Sequence, residues 1–111
     1  MNIATRQNGD VTILDVNGKI TIGVGDVQLR SAVRDALESG ATRILLNLAK
    51  VTSIDSAGVG ELVGSYTAVT ARGAKLKLVD LPPRVMDILS ITQLITVFEV
   101  FDTEDEAVAS F

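Results

Sequence analysis

Val51-Thr-Ser-Ile-Asp-Ser-Ala-Gly-Val-Gly60, running on into Glu61-Leu-Val-Gly-Ser-Tyr66, begins where an apolar run ends and finishes in helical spacing. A strand is handed over to a helix through Asp55, Ser56, Ala57 and Gly58. Val59, Leu62, Val63, Tyr66 and Val69 mark the apolar side of that helix, and Gly73 after Arg72 stops it. Gly60 and Gly64 lie one turn apart, which predicts a helix packed closely against a sheet. Upstream, Thr42-Arg-Ile-Leu-Leu-Asn-Leu48 places apolar residues on consecutive positions. That pattern predicts a strand covered on both faces, as in a parallel sheet flanked by helices.

Further towards the N-terminus, Ile3 to Gln7 and Val11 to Val16 predict a β-hairpin around Asn8-Gly9-Asp10, because Asn-Gly tolerates the positive φ a tight turn needs. Asn17-Gly18 breaks the second strand, and Lys19-Ile-Thr-Ile22 continues extended into Gly23-Val-Gly25. Asp26 is the expected N-cap of a helix running to about Ser39, with Gly40 as its stop. Leu29, Ala32, Val33, Ala36 and Leu37 give it one apolar stripe. Arg34 and Glu38 are spaced to pair on its charged side, which reads as a solvated face.

Downstream, Lys75-Leu-Lys-Leu-Val-Asp80 predicts a strand, ended by Leu81-Pro-Pro83. Pro83 suits the first turn of a third helix carrying Val85, Ile88 and Leu89. Ile91 to Ile95 reads as either a loop or a further helical turn. Phe98 to Phe101 predicts a short strand, and Thr103-Glu-Asp-Glu106 has the form of a capping box opening a last helix. Strands joined through helices run parallel with right-handed crossovers. The expected fold is α/β: a mixed, mainly parallel sheet with an N-terminal antiparallel hairpin and about four helices, in one domain spanning 1–111.

Composition narrows the chemistry. The 111 residues include no Cys and no His, which removes thiolate and imidazole catalysis and the usual zinc sites. Net charge is −4 with no dense basic cluster, which argues against nucleic acid and anionic membranes as partners. The apolar runs fall far short of the ~20 residues that span a bilayer, and Met1 to Asp10 has no secretory apolar region. The expectation is a soluble cytoplasmic domain without a cofactor. Gly23 and Gly25 form a close-approach loop that lacks the Gly-Lys-Ser/Thr of a phosphate loop.

In a parallel sheet, functional groups gather at the carboxyl ends of strands, where helix N-termini also point. Asp55-Ser56-Ala57-Gly58 belongs there, and two readings stand side by side. Asp55 or Ser56 caps the helix, both being preferred N-cap residues. Alternatively, Ser56 is a phosphoacceptor. A phosphate would meet free backbone N–H groups and the positive end of the helix dipole, and beside Asp55 it would concentrate negative charge against a partner.

Ile54-Asp-Ser-Ala-Gly-Val-Gly60 resembles the Asp-Ser-(Ser/Ala/Thr)-Gly-(hydrophobic)-Gly signature of STAS-domain proteins, specifically anti-sigma factor antagonists. The likeness covers nearly the whole chain. Gly18-Lys-Ile-Thr-Ile-Gly23 resembles the family's segment after its second strand, and Arg43-Ile-Leu-Leu-Asn-Leu48 its central strand. Gly73-Ala-Lys-Leu-Lys-Leu78, Pro83-Arg-Val-Met-Asp-Ile-Leu89 and Phe98-Glu-Val-Phe-Asp102 resemble the next strand, helix and final strand. The acidic residue that many members carry in the loop after the second strand has no clear match in Ile20-Thr-Ile-Gly-Val-Gly25, which Asp26 follows.

The resemblance implies the STAS fold and a bacterial partner-switching protein. Unphosphorylated, such an antagonist binds an anti-sigma factor that is also a serine kinase, releasing the sigma factor. The kinase uses ATP to phosphorylate the serine matching Ser56, and a separate phosphatase restores it. Asp55, Ser56, Ala57, Gly58, Val59 and Gly60, with Gly23 and Gly25 of the preceding loop, are the expected partner-binding residues. Two other functions remain: a non-switching STAS scaffold or adaptor in a stress-signalling or lipid-transport complex, and an enzyme or small-ligand binder built on Asp55, Ser56 and the Gly23–Gly25 loop. No general base partners Ser56, so the expectation is a protein that is not an enzyme. The sequence leaves the oligomeric state open.

Overall fold

In a computed structural model, which describes residues 1–111, the chain forms β1 (Asn2–Asn8), β2 (Val11–Ile20), α1 (Asp26–Glu38), β3 (Arg43–Ile54), α2 (Ser56–Ala71), β4 (Lys75–Val79), α3 (Pro83–Ile91), a 3₁₀ turn at Leu94–Thr96, β5 (Val100–Phe101) and α4 (Glu104–Ala109). One sheet runs in the order β1-β2-β3-β4-β5. β1 is antiparallel to β2, and the other three pairings are parallel.

The consecutive apolar residues of β3 divide between two cores because successive side chains point to opposite faces. Ile44, Leu46 and Leu48 enter the larger cluster with Leu29 and Val33 of α1, Leu62 and Val69 of α2, and Val85 and Leu89 of α3. Leu45 joins Val11, Ile13, Val79 and Ala107 on the other face, where α4 lies. Three helices therefore cover one face, and the other rests on a single short helix. Lys77, 5% exposed, secures that helix. Its ammonium donates to the Ser110 carbonyl oxygen at 2.8 Å and Oγ at 2.9 Å, and meets Glu99 Oε2 at 3.0 Å. The Phe111 and Phe101 ring centroids lie 4.8 and 5.6 Å away, so the charge is surrounded by favourable partners. A second tie crosses from the hairpin. Arg6 forks onto Asp15 (2.6 and 3.1 Å) and also holds Glu104 at the start of α4.

Several expectations change on contact with tertiary structure. β2 does not break at Asn17-Gly18; it pairs with β3 through Ile20, with register shifts between Asp15 and Asn17 and between Gly18 and Lys19. β3 runs past Leu48 to Ile54 for the same reason, since β2 is there to pair with it. Gly25, not Asp26, is the N-cap of α1: the Gly25 N–H donates to Gln28 Oε1 at 2.8 Å, while Asp26 Oδ1 accepts from Val27 N. Arg34 forms no ion pair with Glu38; it is Arg30 that pairs, across to Glu61 of α2 at 2.8 Å. Gly60 and Gly64 are exposed, and a Cβ on either would meet nothing within 4 Å. The close approach of α2 to the sheet occurs instead at Gly58.

At the C-terminal end, the expected strand from Phe98 shortens to Val100–Phe101. Phe98 packs its ring edge-to-face on Tyr66, centroids 5.4 Å apart, rather than extending the ladder. Ile91 closes α3, and Leu94–Thr96 forms the short turn that follows. Thr103 caps α4 by accepting from Glu106 N at 3.3 Å, with its hydroxyl donating to the Glu106 carboxylate.

Candidate functional site

The parallel pair β2–β3 ends in register at Ile20 and Ile54, so both outgoing segments leave the sheet side by side. From Ile20 the chain enters a tight loop closed by reciprocal backbone bonds between Thr21 and Val24, each 2.9 Å. From Ile54 it enters Asp55 and α2. Asp55, extended at φ −119°, is the N-cap. Its two carboxylate oxygens point to different elements. Oδ1 accepts from Gly58 N at 2.9 Å, satisfying one of the helix's orphan donors, and Oδ2 accepts from Ile22 N at 3.1 Å in the loop. Those N–H groups, Gly58 first and Ile22 next, hold the Asp55 carboxyl below the usual aspartate range, so it is an anion at neutral pH.

Gly58 makes this juxtaposition possible. A Cβ there would overlap the Ile20 carbonyl oxygen and lie 2.8 Å from Ile54 Cγ1. Only a residue without a side chain lets the first turn of α2 sit directly on the end of β2. Gly25 serves the other side of the loop. Its φ of +98° is left-handed, and a Cβ would overlap the Lys19 carbonyl oxygen, so the loop folds back onto its own strand before α1 begins.

Ser56 is the first residue of α2, is exposed, and takes no part in the cap. The cap belongs to Asp55, which leaves the serine hydroxyl free. Of the eight residues expected at a partner surface, Ser56, Gly60 and Gly23 are exposed, and Asp55 and Ala57 are half-buried. Gly58, Val59 and Gly25 are buried, so they shape the surface without forming it. Gly23 is joined to the helix start only through its neighbour Ile22.

Three apolar side chains missed from the sequence border this site. Ile22 is 75% exposed, Val24 46% and Val27 54%, a group of large aliphatic side chains in solvent on the loop and the first turn of α1. The available signal was an Ile-Gly-Val-Gly stretch with Val27 just beyond, in which the tight loop prevents the aliphatic residues from turning inward. No group of His, Cys, Asp and Glu is arranged to hold a metal ion. No helix is long and apolar enough to cross a membrane.

The STAS domain family matches residues 2–107 of the chain. The chain belongs to the STAS domain family. Similar proteins of known name include the TM1081 homolog of Thermotoga neapolitana, provisionally named an anti-sigma factor antagonist. It is 35% identical over 98 residues, which make up 88% of this chain and 87% of that protein. The anti-sigma-B factor antagonist of Bacillus subtilis is 29% identical over 100 residues, 90% of each chain. Among solved structures, TM1081 of Thermotoga maritima superposes with a TM-score of 0.88 at 29% identity, covering 97% of this chain and 92% of that one. The STAS domain fold is thus the arrangement described above: a five-stranded sheet antiparallel at its N-terminal hairpin and parallel elsewhere, with four helices.

Proposed function

We propose that the chain is an anti-sigma factor antagonist, a single STAS domain working in the bacterial cytoplasm and switched by phosphorylation of Ser56. Unphosphorylated, it binds an anti-sigma factor that is also a serine kinase, and so releases the sigma factor. Transfer of the ATP γ-phosphoryl group to Ser56 Oγ ends that association, and a separate phosphatase restores it. The domain is a substrate and a binding partner, and holds no cofactor.

The observation that carries this reading is the division of labour at the start of α2. Asp55 performs the capping, and Ser56 beside it is exposed with its hydroxyl uncommitted. A phosphoryl group on that hydroxyl would lie at the positive end of a 16-residue helix, so the folded domain tolerates it. The same group would set roughly −1.5 to −2 charges beside the Asp55 anion and the Ile22, Val24 and Val27 side chains. An apolar contact surface with a new dianion at its centre no longer suits the partner that covered it. The relatives' names point to the same partner class.

The test is a pull-down from the source cell's extract with wild-type, Ser56→Ala and Ser56→Asp protein, followed by incubation of the captured kinase with ATP and mass spectrometry. Ser56→Ala should stay folded, retain the partner and accept no phosphate, while Ser56→Asp should lose the partner. Phosphate on another residue with Ser56 unmodified overturns the assignment. Stable assembly with non-kinase proteins that ignores both substitutions would identify a scaffold instead.

A further inference from the structure

We propose that the cleft between α1 and α2, further along α2 than the Asp55–Ser56 cap and sharing no residue with it, is a binding site for a small phosphoryl anion. Its ligands would be Arg34, Arg72 and the free edge of Arg30, above the Ser65 hydroxyl. The cleft has a volume of about 210 Å³ and is walled by Arg30 and Arg34 from α1, by Glu61 and Ser65 from α2 and by Arg72 at the C-cap of α2, with the exposed backbone of Gly64 beside them. Three of the chain's ten Lys and Arg residues meet here, in a molecule whose net charge is −4. The local positive charge is therefore not the background of a basic surface.

The single acid in the cleft does not cancel it. Glu61, 9% exposed, is fully engaged by Arg30, whose Nε lies 3.2 Å from both carboxylate oxygens and whose Nη2 lies 2.8 Å from Oε2. A guanidinium has five N–H donors in a planar fork, and this pairing uses only one edge. The Nη1 side remains for a second oxyanion, and Glu61 holds the fork in place as a positioning residue. The side chains of Arg34 and Arg72 form no salt bridge and no hydrogen bond. They are exposed, and can close on a ligand without breaking an existing contact. Planar forks that grip tetrahedral oxyanions in pairs favour a phosphoryl group over a halide.

An independent observation lies at the floor of the cleft. Ser65 is 3% exposed, and its Oγ is the one buried side-chain polar atom in the protein without a hydrogen-bond partner. Hydroxyls within a helix usually return their proton to the carbonyl four residues back. Thr67 and Thr70, on the same helix, do so at 3.0 and 2.7 Å. Ser65 does not. A buried orphan donor is costly unless something satisfies it, and an anion oxygen in the cleft is such a partner once the hydroxyl rotates. The larger hollow between β1 and the end of α1 offers no equivalent. Its volume is about 740 Å³, but it contains Asp10 and Asp35, and Arg43 there already faces Asp10.

Nitrogen-15 NMR titration tests the assignment, with sodium phosphate in one arm and glycerol phosphate in the other, ionic strength being held constant with sodium chloride. Saturable shifts at the Arg34, Gly64, Ser65 and Arg72 amides are expected. Equal shifts in both arms mean that the phosphoryl group is what is recognised, and shifts in one arm alone identify the free ion or the ester. Arg34→Gln and Arg72→Gln should each weaken binding about tenfold, and Ser65→Ala about threefold, as lost charge-assisted and neutral hydrogen bonds do. Both arginines are exposed, so these variants keep the fold, as their spectra will report. Shifts confined to Ser56–Gly58, shifts that never saturate in either arm, or affinity unchanged in both arginine variants would overturn the site.

Discussion

The backbone N–H of Ile22 donates to Asp55 Oδ2 at 3.1 Å, joining a loop that follows β2 to a helix cap that follows β3. Asp55→Ala should therefore do two things at once: fray the first turn of α2 and free the loop. Hydrogen exchange at the Gly58 and Ile22 amides should accelerate together, and the urea midpoint should fall. Asp55→Asn, which keeps an acceptor for one of the two bonds, should speed only one amide strongly. Faster exchange at Gly58 with Ile22 unchanged would show that the loop holds its shape alone.

Glycine substitutions on α2 should divide by sign. Gly58→Ala drives a methyl group into the Ile20 carbonyl oxygen and should cost about 2 kcal/mol or more. Gly60→Ala and Gly64→Ala enter open space on an exposed helix face and should each gain about 0.5–1 kcal/mol from helix propensity. Chemical denaturation of the three variants measures this directly.

The Arg6 network predicts an acid limb. Arg6 holds both carboxyls below their ordinary values: hydrogen bonding to Arg6 is the leading cause for Asp15 and again for Glu104. A carboxyl depressed in the folded state contributes stability that is complete above its unfolded pKa, near 4, and disappears as pH falls through the folded value. Stability of the wild type should therefore decline below about pH 4. Arg6→Ala should lose about 1 kcal/mol at neutral pH, since the partners are partly solvated, and should show a shallower acid decline. Parallel acid limbs would rule out this origin.

Lys77 should matter more than its surface-type side chain suggests. Lys77→Ala removes a buried cation from two phenylalanine rings, leaves Ser110 and Glu99 without it and opens a void, for a cost of about 2–3 kcal/mol. Lys77→Met refills the volume and should recover part of that loss. Amide exchange across α4 should report the loosening before global unfolding does.

Residues with a periodic or terminating role were legible in advance. The stripe of α1, the two-faced apolar run of β3 and the helix start at Pro83 each follow from local pattern, and the structure retains them. The site's backbone was legible too, because Asp55 is a preferred cap at a strand-to-helix handover. Apart from the Gly25 cap and the exposed Ile22, Val24 and Val27 of the tight loop, the missed features depend on what lies far along the chain. Asn17-Gly18 looks like a break until β3 is placed beside it. Gly60 and Gly64 look like the packing pair until Gly58 is seen against Ile20. Arg30 looks like a solvated charge until Glu61 of α2 arrives opposite it. Lys77 sits in an alternating Lys-Leu-Lys-Leu pattern that names no partner for its ammonium, and α4 returns to cover it. Partners 31 to 33 residues away, as for Arg30–Glu61 and Lys77–Ser110, leave no periodic trace.

The two irregularities in the β2–β3 ladder set a counting rule for this region. Thr12 lies opposite Ile44, an offset of 32 residues, but Ile20 lies opposite Ile54, an offset of 34. β3 thus carries two surplus residues, one between Asn47 and Lys50 and one between Val51 and Ser53. A uniform ladder would set Thr52 beside Ile20 and leave Asp55 about 7 Å too far along to reach Ile22. Deleting one surplus residue would also turn the following side chains to the wrong face. Segment length between Asn47 and Asp55 is therefore constrained as tightly as residue identity. In β3, substitutions should be tolerated where single-codon deletions are not.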